Sequence, residues 1–242
     1  GEFTYISKEE FESKKYFSVG IYLCKVEKST DENINKTFMF NKKNKYTQID
    51  LQRAKELGLK ITHIDRKPNA LIYARDKCVN GSKVFGEYVY SLFELKSKKI
   101  AGDAPKKLLN CLWGALVQKK EYSLRVHEDE DPKLSKNREI TSITPLPKDK
   151  LLIKFIDSTS PYETPLARIK PFLLAFGRKK FSRELEEHMN DIVWMHTDGF
   201  ITTKKLNIKI GEKLGDLKYE GYCPETEITY TNRKTPSKFF KI

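Results

Sequence analysis

The chain has 242 residues, 33% of them charged, with a formal net charge of +13 and a pI of about 9.4. This length can bury a sizeable core in one or two domains, and no apolar run is long enough for a helix to cross a bilayer, so no membrane partner is expected. The four cysteines form no Cys-x-x-Cys pair, which disfavours a zinc site and suits reduced thiols in an intracellular protein. The positive charge favours an anionic polymer as partner, although a generally lysine-rich proteome explains it equally well.

The first 80 residues predict several short strands and one helix. Thr47 is a suitable N-cap for a helix over residues 49–57, and Gly58 is suited to end it. Strands are predicted at residues 16–27, 37–40, 59–64 and 71–73, and polar loops at 28–36 and 41–45.

The middle of the chain predicts a pair of helices followed by a variable region. Residues 84–98 and 104–120 have helical periodicity, and the short link between them predicts an antiparallel helical hairpin. Residues 121–150 form the variable region, in which Tyr122–Val126 is a candidate strand and Ile140–Pro147 contains too much Pro and Thr for a helix.

The last third predicts a strand, a long helix and a β-hairpin. The strand covers Leu151–Ile156, and the helix runs from Pro165 to about Met189, with Pro171 expected to kink it or to mark its true start. The apolar run at residues 191–201 is interrupted by His196-Thr197-Asp198-Gly199, as in a hairpin with a tight polar turn. A carboxylate on such a turn suits a divalent-metal site, although a surface Asp-Gly turn is the commoner explanation.

One face of the second predicted helix suits a nucleoside triphosphate. Lys106, Asn110 and Trp113 or Gly114 follow one another at steps of three to four residues and therefore share a face. An ammonium group can meet phosphate, and a flat aromatic ring can lie against a sugar or base. The competing interpretation is an ordinary amphipathic helix, with its lysines in water and its leucines in the core: Leu108, Leu109 and Leu112.

The pattern Lys106-x-x-x-Asn110-Cys111-x-Trp113-Gly114 resembles motif B of family B DNA polymerases, which usually reads Lys-x3-Asn-Ser-x-Tyr-Gly. An aromatic residue is retained at the Tyr position, and Cys replaces the usual Ser.

The turn His196-Thr197-Asp198-Gly199 resembles motif C of the same family, usually Asp-Thr-Asp-Ser, and it follows motif B in the expected order and at a fitting distance. The resemblance extends over roughly residues 15 to 225. Three further segments support the resemblance. Residues 84–96 are similar to the first fingers helix, and residues 165–178 to the palm helix before motif C. Residues 210–220 are similar to a Leu-Gly-x-Leu-Lys-x-Glu segment of viral and protein-primed members.

The resemblance implies an α+β fold, with an antiparallel palm sheet, helices on one face of it and a two-helix antiparallel fingers hairpin. It also implies a division of the chain into five parts. The N-terminal part of the palm covers residues 1–83, the fingers helices with motif B cover 84–120, and a variable loop region covers 121–150. The palm with the motif C hairpin covers 151–225, and a tail or start of a thumb covers 226–242.

The function implied by the resemblance is template-directed DNA synthesis by a viral or mobile-element enzyme, in the cytoplasm or nucleus of a host if viral. Its partners would be primer-template DNA, deoxynucleoside triphosphates and Mg²⁺. Asp198 would be a catalytic metal ligand, Lys106 would meet the triphosphate, and Asn110 and Trp113 would line the nascent base pair beside Gly114. At least one additional phosphate contact is expected from Lys96, Lys98 and Lys99, and contacts to the DNA backbone are expected from Arg178 and Lys218.

The sequence departs from the family pattern in ways that affect the expected activity. His196 replaces the first Asp of motif C, and the segment that supplies the other metal-binding carboxylate, motif A, is absent. The opening Gly1-Glu2-Phe3 is typical of cloning residues, so the exonuclease region, motif A and thumb are expected in cis or in trans, and the chain alone should be nearly inactive. Two alternatives remain: a non-catalytic nucleic-acid-binding descendant of a polymerase, and an unrelated basic α+β interaction domain.

Overall fold

The computed structural model describes residues 1–195 and 199–222 and divides the chain into two compact units. Unit 1 comprises residues 1–80 and the described residues from 171 onward, and unit 2 comprises residues 81–170. Within the described residues the fold is a mixture of α-helices and antiparallel sheets, which confirms the α+β class. None of the helices in this part of the chain is both long enough and apolar enough to cross a membrane.

The described part of the chain contains six α-helices, and the first two of them were not predicted from the sequence. The helices are α1 Lys8–Ser13, α2 Glu32–Thr37, α3 Gln48–Glu56, α4 Gly81–Ser97, α5 Ala104–Ala115 and α6 Lys170–Leu185. The strands are β1 Glu2–Thr4, β2 Gly20–Val26, β3 Lys45–Thr47, β4 Ile61–His63, β5 Ala70–Ile72, β6 Glu121–His127, β7 Arg138–Leu146, β8 Lys150–Asp157, β9 Ile192–Met195 and β10 Phe200–Thr202.

Unit 1 is built on an antiparallel sheet in the order β1-β5-β2-β3, with β4 also paired to β2. The pairing of Gly20 with Ile72 and of Ile21 with Thr47 places β2 at the centre. Because strand residues alternate between faces, β2 directs Tyr22 and Cys24 into the main core, where both are almost fully buried.

The predictions for the segment between β2 and β3 were wrong. Residues 32–37 form α2 rather than a loop followed by a strand. The helix contains Ile34 as its one large apolar residue, so its sequence has too little periodicity to be recognised. Its N-cap nevertheless has an ordinary chemistry, because the Asp31 side chain accepts a hydrogen bond from the Asn33 N–H.

The helix α3 confirms the prediction made from its caps. Thr47 and Asp50 form a reciprocal capping box, in which each side chain accepts a hydrogen bond from the backbone N–H of the other. Gly58, just after the helix, has φ +70°, the left-handed conformation that glycine adopts without steric cost.

Pro171 marks the true start of α6, as one of the two sequence alternatives predicted. A short 3-10 helix at Pro165–Ile169 precedes α6, and another at Glu186–His188 follows it. Proline lacks a backbone N–H and is therefore tolerated in the first turn, where that donor has no helical partner. The single long helix predicted from Pro165 to Met189 thus consists of three pieces.

The predicted hairpin is confirmed by the strands β9 and β10. They pair antiparallel, with Met195 opposite Phe200 and Trp194 opposite Ile201. Phe200 lies in a second core of unit 1 together with Leu185 from α6. The turn residues 196–198, and with them Asp198, lie outside the described residues.

Unit 2 combines a helical pair with a three-stranded antiparallel sheet in the order β6-β8-β7. The helices α4 and α5 pack on each other as the short link predicted, and the Tyr88 hydroxyl donates a hydrogen bond to the Leu108 carbonyl. The region predicted as variable contains two strands of the sheet, β6 and β7. A third core, formed by Val126, Ile153 and Phe155, lies on one face of this sheet.

Candidate nucleotide-binding surface

The predicted nucleotide-binding residues of α5 lie together on one exposed face. Lys106, Asn110, Trp113 and Gly114 are all exposed, and 41% of the Trp113 surface is accessible to solvent. Since α5 is a regular helix over these positions, their spacing places them within one stripe along its axis. The name "α5 face" is used below for these four residues.

An adjacent side of α5 anchors the helix in unit 2. Pro105 and Leu116 are buried, and Leu109 and Leu112 are partly buried between them. Leu108 remains 48% exposed, so the leucines predicted as core residues are only partly in the core. The apolar stripe therefore fixes the orientation of the helix and leaves the α5 face open to solvent.

Lys106 differs from the neighbouring lysines in its electrostatic environment. Among the described residues, no carboxylate lies within ion-pair distance of Lys106. Lys98 instead forms an ion pair with Glu94, and the hydrogen bond from Lys98 lowers the pKa of the Glu94 carboxyl. The ammonium group of Lys96 lies 5.6 Å from the centre of the Phe93 ring. Of these three lysines, Lys106 is the one that has neither an ion pair nor a ring contact in the described part of the chain.

Gly114 leaves open space on the α5 face. A Cβ atom added at this position would meet no other atom of the chain within 4 Å. The packing of the chain itself therefore does not require glycine here. A flat ligand lying against the helix would benefit from the missing side chain, because its ring could approach the backbone closely.

The two predicted DNA-backbone residues have different surroundings in unit 1. An amino group of Arg178 lies 2.8 Å from the Asp50 carboxylate at the start of α3, and the Arg178 side chain is 33% exposed. Arg178 is thus already paired within the unit. Lys218 is exposed, next to Leu217, whose carbonyl accepts a hydrogen bond from the Gly211 N–H.

The predicted metal ligand cannot be placed, because Asp198 is outside the described residues. Within the described ranges, no group of three or more His, Cys, Asp or Glu side chains is arranged to hold a metal ion. The described residues therefore do not fit a magnesium site by themselves.

Sequence reasoning missed the buried arginine that joins α3 to α6. Arg53 is 5% exposed. Its Nε donates to the Ser182 hydroxyl at 2.8 Å, and one terminal amino group donates to the Ser182 carbonyl and to the Glu186 carboxylate. A polar cavity of about 20 Å³, the size of one water molecule, lies beside it. No local pattern signals this contact, since Arg53 and Ser182 are far apart in the sequence.

No protein-family model matches the sequence, and no curated protein or solved structure matches it.

Proposed function

We propose that this chain is the palm and fingers portion of a template-directed DNA polymerase of family B, from a viral or mobile-element replication system. In this proposal unit 1 contains the palm elements, and the helices α4 and α5 of unit 2 are the fingers. The polymerase-like motifs B and C, in the family's order, give the proposal its specificity.

The α5 face supports the proposal most directly. It presents an unpaired ammonium group at Lys106, an amide at Asn110 and a partly exposed indole at Trp113 along one side of a helix. A triphosphate, a sugar and a base offer matching groups in the same linear order: anionic oxygens, polar edges and a flat ring. An ordinary solvated helix face has no need for a large aromatic side chain beside a lysine and a glycine.

Each residue of the α5 face has a defined role in the proposed reaction. Lys106 would bind the β- or γ-phosphate and stabilise the negative charge that accumulates on the departing pyrophosphate. Asn110 and Trp113 would hold the nascent base pair, and Gly114 would allow it to approach the helix backbone. These interactions orient the α-phosphate for attack by the primer 3′-hydroxyl.

The magnesium requirement explains why the chain alone should have little activity. Mg²⁺, when bound, would activate the attacking oxygen and stabilise the leaving pyrophosphate. Asp198 supplies one carboxylate, which is too few ligands for two ions, and His196 is a poor substitute because Mg²⁺ prefers oxygen. The second carboxylate would come from a motif A segment outside this sequence.

The second candidate function is a nucleic-acid-binding protein descended from a polymerase. The histidine at position 196 favours it, because a retired enzyme has no need of the first motif C carboxylate. Such a protein would still bind the phosphate backbone, so the salt dependence of DNA binding does not separate the two candidates. Nucleotide binding and primer extension do separate them.

Primer extension by the product of the full open reading frame tests the proposal. Magnesium-dependent synthesis should occur, should be abolished by Asp198→Ala and should fall by about 10- to 100-fold in Lys106→Ala, the value of one charge-assisted hydrogen bond. Lys107→Ala is the matched control, since Lys107 is an exposed lysine of the same helix that is rotated by about 100° from Lys106. The proposal fails if DNA is bound without synthesis and Lys106→Ala has no effect, or if the isolated 242-residue chain is itself fully active.

A further inference from the structure

The sheet of unit 2 has two chemically different faces, and its strand register assigns each residue to one of them. Directly paired residues point to the same side, and successive residues of a strand alternate. The core residues Val126, Ile153 and Phe155 belong to one face. The other face, called here the "outer face", carries Arg125, which is paired with Leu152.

Basic side chains collect at one end of this outer face. His127 lies directly opposite Lys150, and Arg125 is the diagonal neighbour of Lys150 one row further along. Diagonal neighbours in an antiparallel sheet are separated by about 7–8 Å. All three side chains are exposed. Arg125 and Lys150 both carry a positive charge, so at least two like charges face the same solvent region.

Two of the three basic side chains at this end make no ion pair within the unit. Neither Arg125 nor Lys150 has a carboxylate within ion-pair distance in the described part of the chain. Two rows away on the same face, Lys154 is paired with Glu121 at 3.0 Å. Like charges on neighbouring strands repel, and an anion bound between Arg125 and Lys150 would relieve that repulsion.

The same residues line an open groove of about 530 Å³. Val126, Leu146 and Pro147 supply its apolar part, and Arg125, His127 and Lys150 its basic part. Glu130 also lines the groove, but its carboxylate already accepts the backbone N–H of His127 at 3.1 Å. The ring of His127 additionally lies near Asp129, with an Nδ1–Oδ1 distance of 3.3 Å.

We propose that this groove binds the phosphodiester backbone of a nucleic-acid strand. Arg125 and Lys150 supply two positive charges to the same groove, and a phosphodiester backbone offers a series of negative charges to meet them. The groove is open rather than enclosed, as a polymer requires, and its apolar part can accept a sugar or base edge. The choice of a nucleic acid as the anion rests on the proposed function, but the groove is a separate site and uses no residue of the α5 face.

The proposal is tested by the salt dependence of binding of single-stranded oligo-dT to the full chain, measured by fluorescence anisotropy. Each lost phosphate contact lowers the slope of log K against log salt by about 0.7 for a single strand. Arg125→Gln combined with Lys150→Gln should therefore lower the slope by about 1.4. The matched control is Lys133→Gln with Lys136→Gln, which removes the same charge from the exposed loop before β7.

The expected result is a lower slope and weaker binding of oligo-dT in the groove variant and not in the control. Unlabelled oligo-dT should displace the labelled strand from the full chain, and poly-aspartate or free dTMP should not. Equal slopes in the two double variants would overturn the proposal. Displacement by poly-aspartate would point to an acidic protein instead, and displacement by dTMP to a mononucleotide site; either result would also overturn it. Arg125→Glu with Lys150→Glu, checked for folding by circular dichroism, should abolish this component of binding. Arg125→Gln with Lys150→Gln should leave the quenching of Trp113 by a deoxynucleoside triphosphate unchanged, so failure of the nucleotide site and failure of this groove are distinguishable.

Discussion

The buried Arg53 should be among the most important single side chains for the stability of unit 1, and Arg53→Met tests this. Arg53 makes two hydrogen bonds to Ser182 in the protein interior, one to Glu186, and a longer one of 3.5 Å to Glu56 on its own helix. Methionine retains the length and apolar surface of the side chain but not its donors. The substitution therefore isolates the polar contacts between α3 and α6.

The expected magnitude follows from the exposure of each partner. A buried hydrogen bond from a charged donor contributes about 1.5–3 kcal/mol, and Arg53 has two of these at Ser182. Glu186 is 46% exposed, so its ion pair with Arg53 contributes at most about 1 kcal/mol. Water can rehydrate Glu186 and part of the Ser182 site after substitution. The net loss expected is about 3 kcal/mol in the free energy of unfolding.

Urea denaturation followed by tryptophan fluorescence measures this loss in unit 1 alone. The chain has one tryptophan in each unit, so Trp113→Phe leaves Trp194 as the reporter of unit 1. In that background Arg183→Gln is the control, because Arg183 is 53% exposed and should contribute less than about 1 kcal/mol. A loss at Arg53→Met no larger than that of the control would refute the reasoning.

Three further predictions concern other residues. Burial raises the pKa of Cys24 to about 12, so iodoacetamide should label the exposed Cys78 and Cys111 in the native protein but label Cys24 only after unfolding, as read by peptide mass spectrometry. Replacement of Gly58 by alanine should cost about 1 kcal/mol from its φ of +70° alone, because nothing lies within 4 Å of the added Cβ; a loss above about 3 kcal/mol in urea denaturation would contradict this. Partial burial raises the pKa of Glu56, but hydrogen bonds from Arg183 and Lys179 outweigh it and lower the pKa overall. The stability contributed by Glu56 should thus be complete above its unfolded pKa and be lost as the pH falls through its native pKa, and Glu56→Gln should flatten the dependence of unit 1 stability on pH below about 4.5.

The features predicted correctly from the sequence depend on local chemistry. Thr47 and Gly58 bound α3 because capping bonds and a left-handed glycine act within a few residues. Pro171 starts α6 for the same reason, since proline fixes its own backbone and lacks its own donor. The shared face of Lys106 and Asn110 follows from the fixed period of a helix. Such features need no knowledge of distant contacts.

The features that were missed depend on tertiary contacts. The strand β1 forms because it pairs with β5, where Phe3 lies opposite Leu71. Its three residues alone are too few to show the periodicity of a strand. The helix α2 is too polar to show periodicity. The burial of Arg53 depends on Ser182, far away in the sequence. The cluster of basic residues on the outer face was also not predicted from the sequence, because it depends on the register between β6 and β8.

The most direct test of the central claim is a titration of the chain with a deoxynucleoside triphosphate, using Trp113 as the reporter. Trp194→Phe leaves Trp113, on the α5 face, as the single tryptophan. The account predicts saturable quenching of its fluorescence, an affinity about 10- to 100-fold lower in Lys106→Ala, and little change in Lys107→Ala. An absence of saturable quenching, or an equal loss in both lysine variants, would contradict a nucleotide-binding role for the α5 face.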